Sequence, residues 1–157
     1  MGLKLMMCIL ILLSNLLYTA SDPSITSIRL KFHNSTTSEA ICKDLINQLE
    51  PYNERKNPLL FGYRAGATML MAKHSLNPFS KLSYFKKGKN MLEKAILAEN
   101  NNVELRFLRY TIQTNIPSFL GYSSQLEKDR SFLKQSVSGV KDAELKKIIV
   151  AYLKQNS

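Results

Sequence analysis

The chain has 157 residues, 45% of them hydrophobic, and carries a formal charge of +10 at neutral pH from 22 Lys and Arg against 12 Asp and Glu. That is one domain's worth of ordinary globular composition, with no low-complexity stretch of the kind that makes a disordered tail. If the N-terminal apolar run carrying Cys8 is cleaved, Cys42 is the lone cysteine, which excludes a disulfide-stapled miniprotein, and the charge points to an acidic partner, the alternative being lysines that only keep the protein soluble.

Residues 1–21 read as an export signal. Lys4 precedes the unbroken apolar run Leu5 to Leu13, and Thr19-Ala20-Ser21 offers small residues before a cleavage point ahead of Asp22. The run falls short of the roughly 20 residues that span a bilayer. No stable transmembrane span is therefore expected after cleavage, an uncleaved anchor being the alternative. Cys8 lies inside the apolar run behind Met6-Met7, which is not a lipidation context. The protein is expected to be exported, periplasmic or secreted.

Residues 22–35 read as an irregular segment with alternating Ile28, Leu30 and Phe32, and 36–157 as a single helical domain. Asn34-Ser35-Thr36 fits a glycosylation acceptor. Thr37 or Ser38 caps a first helix through Glu50, with Ile41, Leu45 and Leu49 on one stripe, and Pro51 ends it. Cys42 sits among Ile41, Leu45 and Ile46, which suits a small buried hydrophobe better than a reactive thiol.

Two helices open on the same dipeptide. Asn57-Pro58 and Asn77-Pro78 each combine an N-cap with a residue whose φ is pre-set for the helix. The helix from Pro58 to about His74 is apolar nearly all round, interrupted by Arg64, so it belongs in a core. Gly62 and Gly66, four apart on one face, let another helix come close. The helix from Pro78 to about Ala98 presents Leu82, Phe85, Gly88, Leu92, Ala95 and Ile96 on one face, with Lys86, Lys87 and Lys94 turned away. Lys81 projects near the middle of that apolar arc, either snorkelling at a helix end or lining a pocket.

After Asn100-Asn101-Asn102, the helix Val103 to Asn115 has Val103, Phe107 and Tyr110 on one side and Leu105, Leu108 and Ile112 roughly opposite. Arg106, Arg109 and Gln113 form a polar ridge between them. Two apolar layers with a ridge between are what an inner helix of a stacked array carries. Ser118 to Ser123 is an apolar loop that must pack down or bind something. Ser124 with Glu127 makes a capping box for a helix to about Val137, Gly139 stops it, and Asp142 to Gln155 reads as a terminal helix buried on one face. The fold expected is all-α, an antiparallel stack of about five to six helices.

Leu92-Glu93-Lys94-Ala95-Ile96 followed by Asn100-Asn101-Asn102-Val103-Glu104-Leu105 resembles the junction between consecutive tetratricopeptide repeats, over about one and a half repeats. Gly88, Leu92 and Ala95 match the small, large and small positions of the second repeat helix. Asn100 stands where the usual proline would be, and the helix from Val103 lacks the repeat's Leu-Gly pair. The resemblance implies an α-α superhelix. More broadly, Tyr63 to Ala67, Phe85 to Lys89 and Phe119 to Tyr122 look like a family of small exported bacterial helical proteins, which implies a fold and a compartment and no activity.

No catalytic constellation is legible. His33 and His74 have no partner at metal-ligand spacing, and no nucleophile elbow or phosphate-binding glycine loop occurs. Glu93, Glu99, Glu127, Asp129, Asp142 and Glu144 read as solvated or capping carboxylates. The expectation is a non-enzymatic scaffold without cofactor, binding a protein or peptide partner through Arg106, Arg109 and Gln113, with Arg64 and Lys81 as further candidates. A second reading of the same ridge is that its arginines tie neighbouring helices together. The alternative function is binding of an anionic lipid or glycan surface of the envelope. Nucleic acid fits less well, because export removes the protein from it and the basic residues have no aromatic stacking platform among them.

Overall fold

A computed structural model describes residues 22–156. The export signal, its cleavage point and Cys8 lie outside the described residues. Seven α-helices follow one another, with no strand among the described residues: α1 Ile25–Asn34, α2 Glu39–Gln48, α3 Pro58–His74, α4 Pro78–Ala98, α5 Val103–Asn115, α6 Leu126–Ser136 and α7 Ala143–Gln155. The fold is all-α, with more helices than the five to six expected.

The additional helix is α1, in the segment read as irregular. Ile25, Ile28 and Phe32 recur at helical spacing. Ile28 is fully buried while Leu30, two residues on, is 62% exposed. The apparent alternation is one stripe of a helix whose neighbour points to water.

Local chemistry sets the helix starts. The side chains of Asn57, Asn77 and Asn102 each accept a backbone N–H of the first turn, and Ser38 and Asp142 do the same for α2 and α7. The Ser124–Glu127 capping box does not form. Here α6 starts at Leu126, after Gln125, which makes no side-chain cap bond. Its first N–H is taken by the Ser123 carbonyl at 3.0 Å, so the chain enters α6 through a turn and not through a Ser124 side-chain cap.

Side-chain pairs fix the helix directions. Lys73 Nζ donates to the Thr36 carbonyl at 2.8 Å and Cys42 Sγ to the Ala67 carbonyl at 3.2 Å, so α2 and α3 run antiparallel. Gly88 lies against Ala65 and Met69, and Ala95 against Gly62, so α4 is antiparallel to α3. Gly62 meets Leu105 and Gly66 meets Leu108, so α5 returns parallel to α3. The α3–α4 pairing is the most extensive in the molecule. At Gly88 the two backbones are close enough that a Cβ would lie 2.6 Å from the Ala65 carbonyl oxygen.

Residues 22–156 bury three clusters of their own. One joins Phe61, Ala65, Met69, Phe85, Leu92 and Ala95 to Leu105 and Leu108. A second gathers Ile28, Cys42, Leu45, Leu49 and the other side of α3. A third packs Tyr110, with Val103 and Phe107, against Leu133, Leu145, Ile149 and Leu153. Helix α5 is thus buried on two opposite sides, Leu105 and Leu108 in one cluster and Tyr110 in another. The apolar loop after it packs down in part. Ser118–Leu120 is a 3₁₀ turn closed by Gly121 at φ 60°, a left-handed conformation that suits glycine. Leu120 and Tyr122 join the first cluster, and Phe119 stays exposed.

Cys42 is fully buried, and burial pushes its thiol up to about 11, helped by the charge of Glu39. Since the thiolate is the nucleophile, the chain beginning at Asp22, in which Cys42 is the one cysteine, should resist alkylation by iodoacetamide at pH 8 and become modified on addition of denaturant. Rapid native labelling would contradict this placement.

Candidate functional site

The ridge of α5 faces inward. Arg106, Arg109 and Gln113 are all buried, and Arg106 and Arg109 converge on Asp129 of α6, whose side chain is 0% exposed. Arg109 donates from Nε to Oδ2 at 2.6 Å and from Nη2 to Oδ1 at 2.8 Å, a two-pronged pairing. Arg106 Nε donates to the same Oδ1. Arg109 also reaches Glu93 of α4 at 2.7 Å, and Glu93 in turn accepts from the Tyr122 hydroxyl. The Arg106 guanidinium lies 4.6 Å from the Phe132 ring centre and donates to the Asn100 carbonyl at 3.2 Å.

Burial works against the charge on Arg109, but the bonds to Asp129 and the nearby charges of Asp129 and Glu93 outweigh it and hold the guanidinium above its ordinary value. Burial, then the bond to Glu93, raises the Tyr122 phenol. The amide of Gln113 has no hydrogen-bond partner among the described residues.

A second ion cluster sits across α5. Arg29 of α1 grips both Glu104 oxygens, at 2.7 and 2.8 Å, and donates to Asp142 at 2.7 Å; Tyr63 of α3 donates to Glu104 at 2.6 Å. The Glu104 bond, against a desolvation cost, raises the Arg29 pKa, while burial first and then Glu104 raise Tyr63.

The five residues expected to form one binding face are therefore not brought together. Arg106, Arg109 and Gln113 lie inside the protein, where the two arginines join α4, α5 and α6. Arg64 is half-buried and donates to the Glu50 carbonyl at 3.1 Å, holding the chain between α2 and α3. Lys81 is exposed, in keeping with a lysine at a helix end. Glu93 and Asp129, read as solvated carboxylates, are the anchors of the ridge. Asp129 lies on the stripe of Leu126 and Leu133, three before and four after, and that position inside an apolar stripe is the sequence signal of a buried acid.

What the surface does offer is the outward side of α4. At about 100° per residue, Phe79, Ser83, Lys86, Lys87, Asn90, Lys94 and Leu97 share that side, and all are exposed. None of Lys81, Lys86, Lys87 and Lys94 forms an ion pair among the described residues. Lysine ion pairs occur instead at Lys31–Asp44 and Lys43–Glu39. The single acid of α4, Glu93, is turned to Arg109. Two depressions of about 410 and 490 Å³ flank the 99–102 turn, the larger lined by Asn100, Asn101, Arg106, Lys128, Phe132 and Gln135 among others.

Among the described residues no group of three or more His, Cys, Asp and Glu is placed to hold a metal, and no helix is long and apolar enough to cross a membrane. Comparison with protein-family models, curated proteins and solved structures finds no match to this chain.

Proposed function

We propose that this protein is an exported, non-enzymatic helical scaffold that works by binding a polyanionic partner through the outer side of α4. The observation that carries this reading is the run Lys86, Lys87 and Lys94, exposed and without an ion pair among the described residues, while Glu93, the one acid of α4, is committed to Arg109. Their charge is not neutralised within the fold, so it is available to a partner. The inward ridge weighs against a protein or peptide groove built on Arg106 and Arg109, because exposing those arginines would strip Asp129 of its partners. The α3–α4 hairpin with α5 parallel to α3 supports kinship with helical-repeat scaffolds, whose role is to present a surface.

Retention on a heparin matrix tests the reading. The native protein should elute only at high salt, and replacing Lys86, Lys87 and Lys94 by Gln should weaken binding on the order of a hundredfold at low ionic strength, each lysine near an anionic surface contributing about 1 kcal/mol. The melting temperature should not move, since these side chains have no intramolecular partner. A native protein that flows through, or a triple variant retained as well as the native chain, would refute the proposal.

A further inference from the structure

We infer that the outer side of α4 lies flat on an anionic lipid bilayer, with Leu76 and Phe79 at one end and Leu97 at the other entering the boundary between headgroups and acyl chains. The inference rests on the polyanion-binding reading above and names its partner.

Three large apolar side chains at this helix are left to water. Leu76 is 96% exposed, Phe79 84% and Leu97 81%. Single exposed hydrophobics are common and mean little. Here Phe79 and Leu97 share one side of one helix, about 27 Å apart at 1.5 Å per residue. Leu76 stands three residues ahead of Phe79 in the tight turn between α3 and α4. Lys86, Lys87 and Lys94 lie between the two apolar ends.

The apolar face of α4 is used up in the core, so it is the outward side that would meet a bilayer, at its two apolar ends. Apolar ends dip below the headgroups, and lysines between them extend their ammonium groups to the phosphates. A soluble acidic glycan or protein would use the lysines and leave the Phe and Leu side chains in water. A bilayer uses both. Glu93, the acid of this helix, is half-buried and paired with Arg109, and Glu99, just past the helix end, accepts from Asn102 Nδ2 at 2.8 Å. The surface offered to the lipid thus carries positive charge and apolar anchors together.

The test uses the chain beginning at Asp22, so that the leader does not itself partition into lipid. It should sediment with vesicles of phosphatidylcholine containing phosphatidylglycerol, and not with phosphatidylcholine alone. Replacing Leu76, Phe79 and Leu97 by Ser should weaken vesicle binding at least about tenfold while leaving heparin retention intact. The Lys86, Lys87 and Lys94 variant should lose both. The chain contains no Trp, so Phe79→Trp gives a single reporter, whose emission should shift to the blue and be quenched by brominated lipid. Heparin retention without vesicle binding, serine variants that bind vesicles as well as the native chain, or a Phe79→Trp emission unchanged on bound vesicles would overturn the insertion and leave the polyanion reading standing. Loss of both heparin and vesicle binding in the native chain would overturn both.

Discussion

Replacing Asp129 by Ala should cost about 3–5 kcal/mol, because it leaves two guanidinium groups buried with their shared carboxylate gone. For a domain of this size that is a fall in Tm on the order of 10–20 °C. The carboxylate has no exposed surface and three hydrogen bonds from Arg106 and Arg109 end on it, so water cannot stand in for it. Asp129→Asn should cost less, as the amide oxygen still accepts one bond. Glu93→Ala should cost less, about 1–2 kcal/mol, since Glu93 is 38% exposed and Arg109 keeps Asp129, and the loss is mainly that of the buried Tyr122 hydroxyl's acceptor. Thermal and urea denaturation of the three variants would rank them. Asp129→Ala with near-native stability would mean that the ridge is solvated in solution.

Gly88→Ala should also destabilise, against its own helix propensity. Alanine is favoured over glycine by about 1 kcal/mol in a helix interior, so a merely local effect would raise the melting point. The added Cβ would instead lie 2.6 Å from the Ala65 carbonyl oxygen and 2.9 Å from the Met69 amide nitrogen, both backbone atoms that cannot turn aside. Separating α4 from α3 to make room should cost about 1–3 kcal/mol net, as overfilled cores usually do. Gly139→Ala is the matched control. A Cβ there meets nothing within 4 Å, and φ is not positive, so its effect should be small. A Gly88→Ala protein more stable than the native one would show that the two helices have slack between them.

Much of the fold could be read from local chemistry. Asn57, Asn77 and Asn102 cap where their neighbours and the apolar periods suggest, because capping depends on residues within one turn. The double burial of α5 was legible for the same reason, since both stripes lie on thirteen consecutive residues. What escaped depends on distance along the chain. Ile25, Ile28 and Phe32 form a helical stripe too, but ten residues with an alternating core admit either period until α2 and α3 cover one face. Ser124 and Glu127 had the right spacing for a cap, and the turn bond from Leu126 to Ser123 took its place.

The candidate site was the least legible part. Arg106, Arg109 and Gln113 do share a stripe, but a stripe does not say which side of the protein it faces. That was decided by Asp129, twenty residues beyond Arg109, and by Glu93, sixteen residues before it. The lysines of α4 were visible as an outward group. That none of them has an ion pair among the described residues, with Glu93 committed to Arg109, depends on contacts between helices that the sequence does not show.

The Arg29 fork has a consequence for how the molecule comes apart. Stacks of helical pairs commonly unfold piecemeal, because each pair touches only its neighbours. Arg29, in the first of the described helices, binds Asp142, the residue that caps the last, across 113 positions of sequence, and holds Glu104 of α5 on the way. The first and last of the described helices are thereby both tied to α5. Loss of α1 would take the guanidinium from Glu104 and from Asp142 at once, so detachment of the first described helix is felt both in the middle of the fold and at the last helix.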